Sequence, residues 1–145
     1  MDQRVQLITL GVPDLDVARR FYVEGLGWQP TLDIPGEITF LQVGPGLLLG
    51  LFGTAELDAD IGRATPAPRV PQAFTLAQVV ATEDEVVAAL DAATAAGGVV
   101  LKAAQRAAFG GFHGYFADPS GFCWEVATNP GWSVSADGIV TLVPV

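Results

Sequence analysis

Residues 110–130 read GGFHGYFADPSGFCWEVATNP, and the turn in their middle decides how the rest of the chain is read. Asp118-Pro119-Ser120-Gly121 is that turn. Proline presets φ at the second turn position and glycine accepts a positive φ further on, so GYFA and FCWEVA are expected to be antiparallel partners. Glu125 then sits inside a strand. Side chains alternate along a strand, so Trp124 and Val126 point to one face while Cys123, Glu125 and Ala127 point to the other. A carboxylate buried alone in so apolar a run costs several kcal/mol, so Glu125 must meet a donor, meet a cation, or take up a proton. Gln78, Tyr115 and Lys102 are candidate structural partners, and a ligand is the competing one.

Outward from this hairpin the chain repeats one order of elements. Residues 5–12 (VQLITLGV) are β-branched and apolar and read as a buried strand. Asp14 can cap a helix that carries Leu15, Ala18, Phe21 and Tyr22 and that Gly25 and Gly27 end. Strands are expected at 28–34, 37–43 and 47–52, separated by Pro35-Gly36 and by Gly44-Pro45-Gly46. The second half repeats the pattern, with a strand at 74–81 and a capping-box pattern, Thr82-Glu83-Asp84-Glu85, opening a helix with Val86, Leu90 and Ala93 on one face. Gly97-Gly98 stops it, and strands come next at 99–103, 112–117 and 122–128. The fold class is α+β: two paired βαβββ modules forming a curved mixed sheet around a cleft, in one domain spanning 1–145. Module 1 covers 5–53, a surface linker 54–73, module 2 74–130, and a tail 131–145 carries a strand-like run at 139–143. One helix covers one face of each sheet, so the cleft and the function are expected on the other face.

Composition excludes several classes of function. With 145 residues, half of them apolar and a mean hydropathy of +0.41, one compact unit is expected. The longest strongly apolar run, residues 47–52, is far too short to span a membrane, and the N-terminus lacks the pattern of a secretory signal. A cytoplasmic protein is expected. Seven basic against sixteen acidic residues give a net charge of −9, which repels a phosphate backbone and makes nucleic acid an unsuitable partner. The single cysteine, Cys123, permits no internal disulfide and reads as a small packed residue. Gly110-Gly111 is too short and wrongly placed for a phosphate loop, and the one histidine, His113, has no identifiable nucleophile beside it.

The repeated βαβββ order, together with Thr9-Leu10-Gly11-Val12, Asp14-Leu15, Phe21-Tyr22, Leu26-Gly27-Trp28 and the closing Gly114-Tyr115-Phe116-Ala117-Asp118-Pro119, Gly121 and Trp124-Glu125-Val126, resembles the vicinal oxygen chelate superfamily. That superfamily includes glyoxalase I, extradiol dioxygenases, fosfomycin-inactivating enzymes and bleomycin-binding resistance proteins. The resemblance covers residues 5–130 and speaks for the fold more than for any one chemistry. It implies a divalent metal held by histidines and glutamates on the first and last strands of the modules. Glu125 matches the closing glutamate, but the opening histidine positions fall on Leu7 and at or near Thr75, and the first closing glutamate on Gly50. A zinc or iron centre needs about three protein ligands, so no metal site and no cofactor is expected.

Two readings stay open. One is a sequestering protein of the bleomycin-resistance kind, a homodimer as the resemblance implies, holding a small apolar or cationic molecule. Its ligand-binding candidates are Thr9, Phe52, Thr75, Gln78, Phe109, Phe112, Tyr115, Glu125 and Trp132. The other is a metal-independent isomerase or lyase using Glu125 and His113 as acid and base, for which the near-neutral titration of histidine suits His113.

Overall fold

A computed structural model describes residues 5–62, 74–108 and 110–143. Chain contacts divide it into two units, Met1–Pro71 and Gln72–Val145. Each unit contains a four-stranded mixed sheet built on the β-α-β-β-β order that the sequence predicts.

Unit 1 runs β1 (Leu7–Val12), α1 (Leu15–Arg19), β2 (Pro30–Ile34), β3 (Ile38–Gly44) and β4 (Leu47–Gly53). Its sheet order is β1-β4-β3-β2, with β1 parallel to β4 and the other pairs antiparallel. Asp14 caps α1 as expected, its Oδ1 accepting the Val17 N–H at 2.9 Å, and the helix continues as a π-helical turn, Arg20–Gly25. That turn delivers Phe21 and Tyr22 together into the core, where they bury with Leu10, Val12, Leu41, Leu49 and Leu51. The α1 side of the sheet is marked by a polar clasp. Arg19 Nε donates to Asp33 Oδ2 at 2.7 Å, and Thr39 Oγ1 donates to Asp33 Oδ1 at 2.9 Å. The arginine holds the Asp33 carboxyl below the ordinary aspartate range, chiefly through its hydrogen bond.

Thr54–Asp60, the first part of the expected linker, forms a helix, α2. Its run of alanine, leucine and acidic residues has adequate helix propensity, and Glu56 in the first turn complements the helix dipole. Gly11 admits it closely, because a Cβ there would stand 3.1 Å from Leu57 Cδ2. The remainder of the expected linker, residues 63–73, lies outside the described residues.

Unit 2 runs β5 (Leu76–Val79), α3 (Glu83–Ala95), β6 (Val99–Arg106), β7 (Phe112–Ala117) and β8 (Cys123–Thr128), in sheet order β5-β8-β7-β6. The capping box is present in both directions: Thr82 Oγ1 accepts from Glu85 N–H, and the Glu85 carboxylate accepts from Thr82 N–H. Val86, Leu90 and Ala93 bury on one face of α3. The 118–121 turn is held by Asp118, whose Oδ1 accepts from Ser120 and Phe122 N–H at 2.9 and 2.8 Å. Gly121 supplies the positive φ, at 90°. The tail contributes β9 (Trp132–Val134), which pairs with β10 (Val140–Leu142) as a separate two-stranded sheet.

Strand β6 runs three residues beyond the expected end and is irregular. Val99 and Val100 pair with Ala117 and Phe116, but Lys102 pairs with Tyr115 and Gln105 with His113, so the register shifts twice. Unshifted, the pairing would set Lys102 opposite Gly114. Side chains alternate with a period of two, so each one-residue shift turns the later residues of the strand to the other face of the sheet.

Candidate functional site: a polar chain on one face of unit 2

Gly114 fixes which face of unit 2 meets the helix. A Cβ on it would lie 2.6 Å from Leu90 Cδ1 of α3, so Gly114, Phe116 and their partners Val126 and Trp124 face α3. Phe116 and Trp124 stack there with rings 2° from parallel. Alternation sends His113, Tyr115 and Glu125 to the opposite face, and the first shift in β6 brings Lys102 to it.

Those four side chains form one chain of contacts. His113 Nδ1 lies 2.8 Å from Glu125 Oε1, and Lys102 Nζ lies 2.9 Å from His113 Nε2. An ammonium has donors only and a carboxylate acceptors only, so one tautomer satisfies both contacts: a neutral imidazole with its proton on Nδ1. The Tyr115 phenol stands beside the same carboxylate. The Tyr115 phenol is pushed above its ordinary value, first by burial and then by its hydrogen bond and charge contact with Glu125. The Tyr115 ring sits edge-on to His113 at 5.4 Å, and the Lys102 ammonium lies 5.7 Å from its centroid. His113 is buried, with 8% exposure, while Lys102 and Tyr115 are half-buried and Gln105, paired with His113, is exposed. The carboxylate that the sequence left without a partner therefore meets His113, with the Tyr115 phenol beside it.

Of the other predicted site residues, Thr75 lies just before β5 and its hydroxyl donates to the Cys123 carbonyl at 3.1 Å, pinning the edge strand. Gln78 pairs with Val126, so alternation gives it to the α3 side, away from Glu125; the same reasoning gives Phe112 to the side of Gly114. Trp132 lies in β9 with 37% of its surface exposed. Thr9 and Phe52 belong to unit 1, on the face turned away from α1. Phe109 lies outside the described residues. Lys102 is named by the sequence as a possible partner of Glu125, but it reaches His113 instead. One signal was available: Lys102 is the chain's single lysine and His113 its single histidine, and the fold sets them in contact.

The residues do not fit a zinc or iron centre. Among the described residues no three histidine, cysteine, aspartate or glutamate side chains gather to hold a metal. Glu125 is engaged by His113 and Tyr115, and the second imidazole nitrogen faces an ammonium, which a metal ion would have to displace. In unit 1 the space beside Gly50 is taken by Phe40 and Leu7, whose atoms would stand 3.1 and 3.3 Å from a Cβ there. Hydrocarbon fills that place and offers no donor.

Residues 4–126 match the family model of the Glyoxalase/Bleomycin resistance protein/Dioxygenase superfamily. Among solved structures, a glyoxalase-related enzyme from Fulvimarina pelagi is similar over 97% of this chain and 99% of its own, at 42% identity and a TM-score of 0.87. A lactoylglutathione lyase from Agrobacterium tumefaciens is 26% identical over 88% of this chain and 94% of its own, with a TM-score of 0.63. A glyoxalase/bleomycin resistance protein/dioxygenase family enzyme from Burkholderia phytofirmans PsJN, at 18% identity, 85% and 96% coverage and a TM-score of 0.74, shares the fold. No protein of curated function matches the chain.

Proposed function

Since the chain belongs to the glyoxalase/bleomycin resistance protein/dioxygenase superfamily, we propose that it binds a small, largely apolar molecule on the helix-free face of the unit 2 sheet, without a catalytic metal. The observation that carries this reading is the chain Lys102–His113–Glu125, with Tyr115 on the same carboxylate. Sheet faces that serve only packing are filled with hydrocarbon, as around Gly50. A connected polar group with half-buried outer members suits recognition of a ligand's one polar end, while an apolar body rests on aromatic surface. The alternative of an amine drawn to Glu125 is weakened, because that amine would compete with His113 and Tyr115 for the carboxylate.

The acid–base reading has its own support. Glu125 holds the imidazole by Nδ1, so Nε2 is the basic nitrogen, and it would act as a general base once the Lys102 ammonium gives way to substrate. We further propose a homodimer acting in the cytoplasm; no helix among the described residues is long and apolar enough to cross a membrane. A thermal-shift screen of small apolar acids, amines and antibiotics, with each hit monitored for chemical conversion, tests both readings. Stabilisation without conversion supports sequestration, and conversion supports the acid–base reading. Stoichiometric metal retained through dialysis would overturn both.

A further inference from the structure

We propose that Lys102 is the ligand anchor of this site and that the ligand carries a carboxylate. This rests on the binding face assigned above and names the chemistry of the molecule that binds there. Three observations converge. First, the bulged pairing of β6 turns Lys102 away from the α3 side and onto the face of His113 and Tyr115; bulges commonly re-aim a side chain beside a functional site. Second, an ammonium has three N–H donors, and among the described residues Lys102 makes one hydrogen bond, to His113 Nε2. Its remaining donors are those of a half-buried group, where a charge-assisted bond to an anion is stronger than in open water. Third, the acid on this face is already engaged, since Glu125 contacts His113 at 2.8 Å and has the Tyr115 phenol beside it. Among the described residues of this polar group, Lys102 is therefore the charged member with donors left to give.

The neighbours fit a carboxylate with an apolar body. The Tyr115 ring beside the ammonium offers a flat apolar surface next to the anchor, and Gln105, opposite His113 on the same face, offers an amide. The net charge of −9 opposes anions at long range, but at physiological ionic strength that field is screened over about 8 Å, leaving the local ammonium to decide.

The test uses the intact protein and three matched probes: phenylacetate, phenylacetamide and phenethylamine. Single histidine and single lysine residues give one imidazole pair and one ammonium signal in ¹⁵N spectra of labelled protein. Phenylacetate should shift both, and the amide and amine should not. Calorimetry should show phenylacetate affinity falling about tenfold or more in Lys102→Met and largely kept in Lys102→Arg. Equal binding of all three probes, or unchanged phenylacetate affinity in a folded Lys102→Met variant, overturns the anchor and leaves the binding face standing. A response to phenethylamine alone overturns it in favour of recognition by Glu125. Silence from all three overturns the anchor as well, and the thermal-shift screen then decides separately whether the face binds anything.

Discussion

Gly50 in unit 1 and Glu125 in unit 2 occupy matching points of two similar sheets. Each lies on the last strand of its β-α-β-β-β unit; Gly50 pairs with Phe40 and Thr9, Glu125 with Tyr115 and Ala77. Two pairs further along, at the next position on the same face, Ile38 in unit 1 stands where unit 2 has His113. The backbone plan is shared and the chemistry is opposite. In unit 1 Phe40 and Leu7 close over the glycine, whereas in unit 2 a carboxylate, an imidazole, a phenol and an ammonium join. One sheet face can thus be filled with hydrocarbon or given a polar group, provided that the polar group satisfies itself.

The two glycines should give the largest difference between the units. A Gly114→Ala Cβ would meet Leu90 Cδ1 at 2.6 Å and the Lys102 carbonyl oxygen at 3.0 Å, part of it rigid backbone. The expected cost is about 2–3 kcal/mol in chemical denaturation, with loss of the Lys102–His113 contact. Gly50→Ala meets the tips of Phe40 and Leu7, which can give way, and should cost about 1 kcal/mol or less. Equal costs would contradict the packing described for the two faces.

Next in size is Glu125→Gln, which leaves the imidazole N–H and the Tyr115 hydroxyl with a neutral, weaker acceptor. It should cost about 1–2 kcal/mol. Tyr115 should then titrate closer to the ordinary tyrosine value in ultraviolet phenolate titrations, but only part of the way, because burial is the larger cause of its shift. The raised value also sets the sign of its pH dependence. Its contribution to stability is full below the ordinary value of 10.0 and is lost as pH rises through the folded value. In Glu125→Gln that alkaline loss should be smaller and should be complete at a lower pH.

The order of elements was legible from apolar runs and the turns between them, and both helix caps and the 118–121 turn were legible because Asp14, the Thr82–Glu85 box and Asp-Pro-Ser-Gly act on their own backbone within four residues. The face bearing His113, Tyr115 and Glu125 was legible from alternation. The connection between the four polar groups was not. Lys102 reaches His113 only because β6 slips by one residue before it, and a bulge that depends on packing around Gly114 has no local sequence signature. Gln78 was placed on the other face only by the register of β5 with β8, whereas alternation along β7 already separated Phe112 from His113. Helix α2 was missed because its alanine- and acid-rich run reads equally well as a polar connection.

The helix caps of the two units should differ by less. Thr82→Ala removes one half of a reciprocal cap and should cost about 1 kcal/mol, whereas Asp14→Ala, at a helix whose cap has a single side-chain contact, should cost about half as much. Urea denaturation of the two variants checks the order. The smallest effect belongs to the part-buried Arg19–Asp33–Thr39 clasp of unit 1. Because the Asp33 value is lowered, its stabilisation is present above the ordinary carboxylate range and lost as pH falls through the folded value. The gap in melting temperature between the native chain and Asp33→Asn should therefore narrow on acidification, and a constant gap would refute the clasp.

The connected polar chain of unit 2 is the centre of the account, and the imidazole ¹⁵N spectrum of the single histidine measures it directly. The prediction is a neutral His113 with its proton on Nδ1, coupled to Glu125, and with Nε2 unprotonated and accepting from Lys102; Lys102→Met should move the Nε2 signal, and Glu125→Gln the Nδ1 signal. A proton on Nε2, or a rapidly averaging pair of tautomers untouched by either substitution, would contradict it.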